Sequence, residues 1–268
     1  MKIAFISSMN KSLFEQYGER FLDEFNKCAS NEIKLYLIFE GEFPKNLKSY
    51  NNTEIIPLNN IRHKNFIKKF GKLRDAKGLR MHEFTENGQK KVKFYFDIRW
   101  DAIRFSYKPF SIYQSLEHVP VDLDCLIWTD ADLRCKKKFY PNDMKEFLPQ
   151  NKDIMSYLGR KDTYSECGFL GFNLRNNLTK DFIDRIIEIY ETGEIFSLNQ
   201  WHDSFIWDHV RIEFTNQKNG NFKNISGGAY EKAHVYINTK LGEFFDHLKG
   251  PKRKELGNSF DEDYNILL

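Results

Sequence analysis

The sequence predicts an α/β fold built on a mixed, mostly parallel sheet flanked by helices. Three observations predict it: an apolar run at residues 2–7 that is typical of a first strand, an amphipathic helix directly after it, and two further strand candidates at residues 33–39 and 53–58. A β-α-β-β opening is typical of α/β proteins. The 268 residues suit a single domain with a sizeable core, and we expect one domain over residues 1–268.

The first half of the chain supplies the elements of this opening. Leu13, Tyr17, Phe21 and Phe25 recur every four residues, which places them on one face of a helix. Pro57 weakens the third strand candidate, because proline cannot donate to a strand ladder and is tolerated mainly at sheet edges. Residues 59–93 are basic and poorly periodic, and they predict a short helix followed by a mobile loop.

The second half predicts further strands and helices. Residues 92–98 could be a strand or the lead-in to a helix at 100–116, which Pro109 should kink or restart. Apolar runs predict strands at 123–128, 153–158 and 168–174. The glycines of the last run, Gly168 and Gly171, indicate that its backbone approaches another group closely. Apolar periodicity predicts helices at 181–191 and 199–211.

The charge of the chain is balanced overall but basic in one segment. Lys and Arg number 41 against 38 Asp and Glu, which argues against a general nucleic-acid coat, and we expect no stable nucleic-acid partner. Residues 62–93, however, hold eleven Lys and Arg against three Asp and Glu. This segment is either a solvated surface or a basic lip for an anionic acceptor, nucleic acid or membrane.

The cysteines and the apolar runs indicate where the protein resides. The four cysteines form no C-x-x-C pair and are typical of reduced thiols in a cytosolic protein. No apolar run approaches the ~20 residues that span a bilayer, and the apolar run at the start of the sequence is too short for a signal peptide. We therefore expect a soluble, cytoplasmic protein without a transmembrane segment.

The most informative motif is the apolar run at residues 126–129 that ends in Asp130 and Asp132. Side chains at i and i+2 of a strand point the same way, so the two carboxylates can share a ligand. Hard oxygen ligands suit Mg²⁺ or Mn²⁺. The alternative is a polar turn that closes a strand. The glycine-rich phosphate loops G-x-x-x-x-G-K-[ST] and G-x-G-x-x-G do not occur in the sequence.

This strand with its D-x-D motif resembles the metal motif of GT-A fold glycosyltransferases, which use nucleotide-sugar donors. His247 and Gly250, followed by Lys252 and Arg253, are similar to the C-terminal His, Gly and Lys of retaining families of the glycogenin and galactosyltransferase kind. The resemblance implies a GT-A type fold. It also implies that Asp130, Asp132 and His247 hold Mn²⁺ or Mg²⁺ and that Lys252 or Arg253 contacts the donor diphosphate.

The same resemblance implies roles for further residues. Glu166 would hydrogen-bond hydroxyls of the donor sugar. Asp203 would be a general base in an inverting reaction or would bind sugar hydroxyls in a retaining one, although it could simply stabilise the first turn of its helix. Arg104 and Lys108 are four residues apart and share a helix face, so they could contact the phosphate or the base, or be exposed surface charges. Ser7, in the loop expected after the first strand, would contact the nucleoside.

The function that these inferences predict is transfer of a hexose or pentose from a UDP- or GDP-sugar to a hydroxyl of a glycan, lipid-linked or protein acceptor. Retention of configuration is slightly favoured over inversion. The C-terminal tail, about residues 243–268, should close over the donor site and exclude water. Two alternatives stay open: a metal-dependent phosphohydrolase or nuclease, and a non-catalytic binding module.

Overall fold

The computed structural model describes residues 1–45, 47–227 and 234–264 of the chain. Its strands are β1 (Ile3–Asn10), β2 (Lys34–Glu40), β3 (Thr53–Pro57), β4 (Leu79–Glu86), β5 (Gln89–Phe96), β6 (Cys125–Thr129), β7 (Leu133–Cys135), β8 (Asp153–Leu158), β9 (Glu166–Asn173), β10 (Asn221–Asn224) and β11 (Phe245–His247). Seven of these strands form the central sheet in the order β10-β8-β9-β6-β1-β2-β3, and β7–β11 and β4–β5 form two small sheets.

The central sheet is mixed and mostly parallel, as the sequence predicts. β1 pairs in parallel with β2 and β6, β2 with β3, and β8 with β10, whereas β9 runs antiparallel to both β6 and β8. Buried side chains form two apolar clusters, one containing Phe5 and Phe25 and the other containing Trp128 and Phe172. A sheet that contributes to two clusters needs helices on both faces, which is the α/β arrangement.

The α-helices flank this sheet. They are α1 (Lys11–Leu13), α2 (Glu19–Cys28), α3 (Ile61–Phe70), α4 (Ala102–Ser115), α5 (Pro141–Met144), α6 (Leu178–Thr192), α7 (Asp203–Lys218), α8 (Val235–Asn238) and α9 (Pro251–Leu256). The predicted β-α-β-β opening is confirmed as β1, α2, β2 and β3. Tyr17, Phe21 and Phe25 of the predicted helix face are buried, and Leu13 packs against them from a partly buried position.

The prolines affect the fold less than the sequence suggests. Pro57 lies in β3, and β3 is the outer strand of the sheet, where a missing N–H is tolerated. Pro109 lies inside α4, which is one continuous helix, so of the two predicted outcomes, a kink or a restart, the restart is wrong. Proline removes one backbone donor from a helix, and the buried side chains that follow it, Phe110 and Ile112, hold the rest of α4 in the core.

The prediction of a mobile loop after α3 is wrong. The segment instead forms a hairpin in which β4 and β5 pair antiparallel from Leu79↔Phe96 to Glu86↔Gln89. Its turn is Asn87-Gly88, with φ of 51° and 77°, and Asn-Gly is the preferred pair for a tight hairpin turn. Charged residues within both strands mask the alternation that would otherwise predict them.

Three further expectations concern the whole chain. All four cysteines are buried and unpaired, which agrees with reduced thiols. No helix of the described residues is both long and apolar enough to cross a membrane. The predicted C-terminal tail contains β11 and α9, while residues 265–268 of that tail lie outside the described part of the chain. The single-domain organisation stays a prediction.

Candidate functional site

The central strand β6 delivers the D-x-D motif to one edge of the sheet. Every residue of β6 is buried, and the strand lies between β1 and β9. Its apolar sequence suits this position because both faces of the strand pack against the core. Beyond the strand, the backbone N–H of Asp130 donates to the carbonyl of Gly168 at 3.1 Å. The two carboxylates therefore lie where open α/β sheets bind their ligands.

A small antiparallel ladder brings His247 to this motif from 115 residues further along the chain. β7 begins directly after Asp132 and pairs with β11, so that His247 lies opposite Leu133. Nε2 of His247 is 3.2 Å from Oδ1 of Asp132 and 3.8 Å from Oδ2 of Asp130. One ligand atom from each of these three side chains lies within 4.8 Å of the others, as the arrangement predicted from the sequence requires.

The cluster of Asp130, Asp132 and His247 fits a divalent cation. Oδ1 of Asp132 is buried and has no hydrogen-bond partner among the described residues, and Nε2 of His247 lies 3.2 Å from it. A buried carboxylate oxygen without a partner is costly unless an ion or water completes it. Two carboxylates and one imidazole form a donor set that suits Mn²⁺ and, less strongly, Mg²⁺.

The charges of the cluster are coupled. Burial alone would raise the pKa of Asp132, but His247 and Lys254 stabilise its charge and hold the pKa below its usual range. Burial raises the pKa of Asp130, and Lys108 offsets this rise only in part. Burial lowers the pKa of His247, but the adjacent Asp132 raises it more, so the net shift is upward. Asp132 is therefore the carboxylate that stays ionised most readily.

Gly168 makes room for His247. A Cβ at Gly168 would lie 2.7 Å from Cε1 of His247, which is closer than non-bonded carbon atoms approach each other. The close approach that the glycine predicts is thus made to the imidazole ring. Behind that ring lies Glu166, whose Oε1 is 3.9 Å from Nδ1 of His247 and whose Oε2 pairs with Lys249. Although burial raises the pKa of Glu166, Lys249 and His247 together lower it to about 2.

Lys108 links the motif to the acidic helix α7. Its Nζ lies 2.9 Å from Oδ1 of Asp130 and 2.6 Å from Oδ2 of Asp203, the first residue of α7, and it also donates to the carbonyl of Cys167. Burial lowers the pKa of Lys108, but the two carboxylates raise it well above its ordinary value. Lys108 is therefore a permanent cation that holds both acids in place.

A cleft of about 890 Å³ opens in front of these groups. Binding clefts for small molecules commonly have volumes of about 300–1,000 Å³. The cleft is bordered by the ends of β1 and β2, by one face of α4 and by α9. The polar and charged side chains that line it include Ser8, Glu40, Arg104, Lys108, Asp130, Asp132, Asp203 and Lys254. Arg104 and Lys108 thus share a face that is turned to the cleft.

Several residues named from the sequence lie away from the cleft. Ser7 is fully buried, because β1 continues to Asn10 where the sequence predicts a loop, and its neighbour Ser8 lines the cleft instead. Lys252 is exposed on α9. Arg253 pairs with Asp263 at 2.6 Å. Glu166 is buried behind His247 and is not among the residues that line the cleft.

Lys254 and Glu40 are among the cleft-lining residues that the sequence did not predict. Lys254 lies 2.8 Å from Oδ2 of Asp132, and its position four residues after Gly250, one turn into α9, is the signal that could have indicated it. Glu40 ends the apolar strand β2 and accepts a hydrogen bond from Ser8 at 2.8 Å. A carboxylate that ends a strand parallel to β1 is the same signal that singles out Asp130.

We expect Glu40→Gln to stabilise the fold at pH 8. Burial raises the pKa of Glu40 to about 7, and Ser8 and Arg104 counter this only in part. The pKa of this carboxyl is about 4.5 in the unfolded chain and about 7 in the folded one, so the folded state resists its ionisation. The free energy of unfolding therefore falls as pH rises from about 4.5 through 7. The variant should therefore gain about 1–3 kcal/mol at pH 8 and almost nothing at pH 4.5, measured by urea unfolding.

The matched control for this prediction is Glu42→Gln, two residues further on and exposed. Its free energy of unfolding should follow that of the unmodified chain at both pH values. If Glu40→Gln showed the same difference from the unmodified chain at pH 4.5 and pH 8, the partly buried Glu40 carboxyl would not titrate as described.

The chain is similar to known proteins in structure and not detectably in sequence. No protein-family model matches the chain, and no curated protein matches it. Mouse xyloside xylosyltransferase 1 in its apo form is similar over 84% of this chain and 86% of its own, with 10% identity and a TM-score of 0.46. The galactosyltransferase LgtC, in complex with donor and acceptor sugar analogues, is similar over 77% and 70%, with 11% identity and a TM-score of 0.45.

A third solved structure covers more of the chain. It is a glycosyltransferase involved in the glycosylation of the major capsid of PBCV-1, similar over 96% of this chain and all of its own, with 10% identity and a TM-score of 0.48. Similarity at these identities and TM-scores does not extend to activity or substrate. The strand order is that of a mixed, mostly parallel α/β sheet, and Asp130 and Asp132 follow its central strand.

Proposed function

We propose that this chain is a metal-dependent glycosyltransferase that moves a sugar from a nucleotide diphosphate sugar to a hydroxyl acceptor. The observation that supports the proposal most directly is the cluster of Asp130, Asp132 and His247 at a cleft with cations on its walls. A metal cluster beside positive side chains matches a diphosphate, whose oxygens can bind the ion and the cations together.

In the proposed site, the metal and the cations would bind the diphosphate of the donor, and the ends of β1 and β2 would contact its nucleoside. A divalent ion held by Asp130, Asp132 and His247 would offset the charge that develops on the leaving diphosphate. Lys254 and Arg104 line the cleft and suit the same diphosphate, so we assign to Lys254 the role that the resemblance gives to Lys252 or Arg253. Ser8 and Glu40 lie at the ends of β1 and β2 and would face the nucleoside of a UDP- or GDP-sugar.

We further propose that the reaction retains the configuration of the transferred sugar. Asp203 is engaged by Lys108 at 2.6 Å and by the N–H of Ser204 at 2.8 Å. A carboxylate held in this way suits the binding of donor-sugar hydroxyls better than the removal of an acceptor proton. Glu166 would fix the His247 ring from behind rather than touch the sugar. NMR of the anomer formed in the first turnovers tests retention, and the opposite anomer would reject it.

A thermal-shift measurement tests the activity class. UDP- and GDP-sugars are added with and without Mn²⁺, and one of them should raise the melting temperature by about 5–11 °C only when Mn²⁺ is present. Saturation at about 100 times the dissociation constant contributes about 2.7 kcal/mol, and each kcal/mol shifts the midpoint of a chain of this size by about 2–4 °C. The sugar nucleotide that gives the largest shift then identifies the donor class.

The same measurement separates the two alternatives. If no nucleotide sugar stabilises the chain with Mn²⁺ but phosphate esters or nucleic acid are hydrolysed, the chain is a phosphohydrolase or nuclease. If neither binding nor hydrolysis depends on a metal, the D-x-D motif closes a strand in a non-catalytic module. The acceptor, a cytoplasmic location and closure of the tail over the donor remain predictions.

A further inference from the structure

The hairpin formed by β4 and β5 is a surface feature that the proposed activity does not use. It forms its own two-stranded sheet, separate from the central sheet. All of β5 is exposed, and most of β4 is exposed as well. A two-stranded hairpin is only marginally stable by itself in water. Large apolar side chains on such a hairpin therefore indicate a surface that meets a partner.

The two faces of the hairpin differ in chemistry. Residues that lie directly opposite each other in the register share a face, so Leu79, Met81, Val92, Phe94 and Phe96 form an apolar area on one face, which continues towards the turn with Glu83, Thr85 and Lys90. The exposed fractions of Met81, Val92, Phe94 and Phe96 are 56%, 51%, 55% and 57%. The opposite face is mainly polar and carries Arg80, His82, Lys91, Lys93 and Tyr95, with Phe84 among them.

The contacts at the base of the hairpin show which face is turned outward. The Arg80 guanidinium lies 4.3 Å from the ring centroid of Trp100 and 5.5 Å from that of Trp201. Trp100 precedes α4 and Trp201 precedes α7, so the polar face is turned to the body of the domain at this point. The apolar face is on the other side and is exposed to solvent.

We propose that the apolar face of the hairpin inserts into the surface of an anionic membrane. Its phenylalanine, valine and methionine side chains suit the boundary between headgroups and acyl chains. Lys90 lies on the same face nearer the turn, and a long lysine side chain can bury its stem while its ammonium group reaches the headgroups.

The charge of the surrounding segment favours anionic lipid over neutral lipid. Residues 62–93 carry eleven Lys and Arg against three Asp and Glu, and Lys64, Lys68, Lys69 and Lys72 of this segment are exposed. On the hairpin itself Arg80, Lys90, Lys91 and Lys93 outnumber Glu83 and Glu86, and basic side chains are attracted to acidic headgroups within about one Debye length. Charge and apolar face therefore act on the same partner.

A second copy of the chain is a poorer partner for this face. Strands of eight residues at about 3.4 Å per residue, lying about 5 Å apart, give a face of roughly 270 Å². A stable interface needs about 800 Å² from each partner. Two copies would also bring two strongly basic segments together, and like charges repel. Both the small area and the charge thus disfavour self-association.

Vesicle flotation of the full chain tests the proposal. The chain should float with phosphatidylcholine vesicles that contain about a third phosphatidylserine, and should float little with phosphatidylcholine alone or at high salt. Phe94→Ser should weaken this partitioning about tenfold, because the apolar area of the ring no longer leaves water. Tyr95→Ser is the matched control, since it removes a similarly exposed ring from the other face and should change partitioning less than twofold.

Fluorescence provides a second readout, which reports the surroundings of one residue after the emission of the four native tryptophans is subtracted with the unmodified chain. The emission of Phe94→Trp should shift to shorter wavelength on addition of the anionic vesicles, whereas that of Tyr95→Trp should not. Equal effects at positions 94 and 95, in either experiment, would overturn the proposal.

Two other outcomes would also overturn the membrane assignment. If the unmodified chain is a dimer by light scattering that Phe94→Ser converts to a monomer, and no vesicles bind, the face pairs with a second copy. If a duplex oligonucleotide binds in a manner that Phe94→Ser weakens, and vesicles do not bind, the partner is nucleic acid. Phe94→Ser should keep the Mn²⁺-dependent rise in melting temperature that a nucleotide sugar produces. Failure of the membrane proposal can therefore be told apart from failure of the transferase proposal.

Discussion

Asp132→Asn is expected to abolish the Mn²⁺-dependent stabilisation by a nucleotide sugar and to reduce transfer to background. Asp132 contributes the buried oxygen that has no hydrogen-bond partner among the described residues, and it lies closest to Nε2 of His247. An asparagine keeps the size of the side chain but removes the charge that the ion requires. We expect metal affinity to fall at least a hundredfold, measured by titration of Mn²⁺ in the presence of donor.

The control for this variant is Asp246→Asn, on the same strand as His247. Asp246 is buried as well, but its carboxylate bonds the N–H and hydroxyl of Ser259 and not the cluster. Asp246→Asn should lower the melting temperature while keeping the shift that Mn²⁺ and donor produce. A full Mn²⁺-dependent shift in Asp132→Asn would show that the ion, if bound, is held elsewhere.

Lys108→Met is expected to destabilise the fold by about 3–5 kcal/mol at pH 7, the usual cost of removing one partner from a buried ionic group. Lys108 is almost buried, with 13% of its side chain exposed, and it neutralises both Asp130 and Asp203. Without it the two carboxylates would face each other with their main cation gone. The loss should shrink as pH falls towards 4, because protonation removes the uncompensated charge. Urea unfolding at several pH values measures both effects.

Arg104→Met is the matched control, because Arg104 lies one turn earlier on the same face of α4 and is exposed. Its change in the free energy of unfolding should stay within about 0.5 kcal/mol, as for most surface substitutions. It should weaken donor binding instead, if Arg104 contacts the diphosphate. Equal stabilities of Lys108→Met and Arg104→Met would mean that the ion pairs of Lys108 contribute nothing to folding.

The sequence predicted the architecture well where one physical signal dominates. Buried strands of the central sheet show as apolar runs, and the helix that follows β1 shows its buried face every four residues. The hairpin was missed as a pair of strands, although residues 92–98 were one strand candidate and overlap β5. Both strands are exposed, so no core imposes a clear alternation of apolar and polar residues, and Asn87-Gly88 was the remaining signal. The restart at Pro109 was wrong because packing of the residues after it outweighs one lost hydrogen bond.

The sequence by itself determined that two carboxylates end a buried strand, and its resemblance to a known motif added His247 as their partner. Which cations accompany them was decided only by the tertiary structure. Lys108 bridges Asp130 to Asp203, and Lys254 rather than Lys252 or Arg253 reaches Asp132, because the phase of α9 turns one lysine to the cleft. Spacing along a chain establishes which residues can share a face, whereas the ladder of β7 with β11 and the orientation of α4 and α9 establish which of them meet.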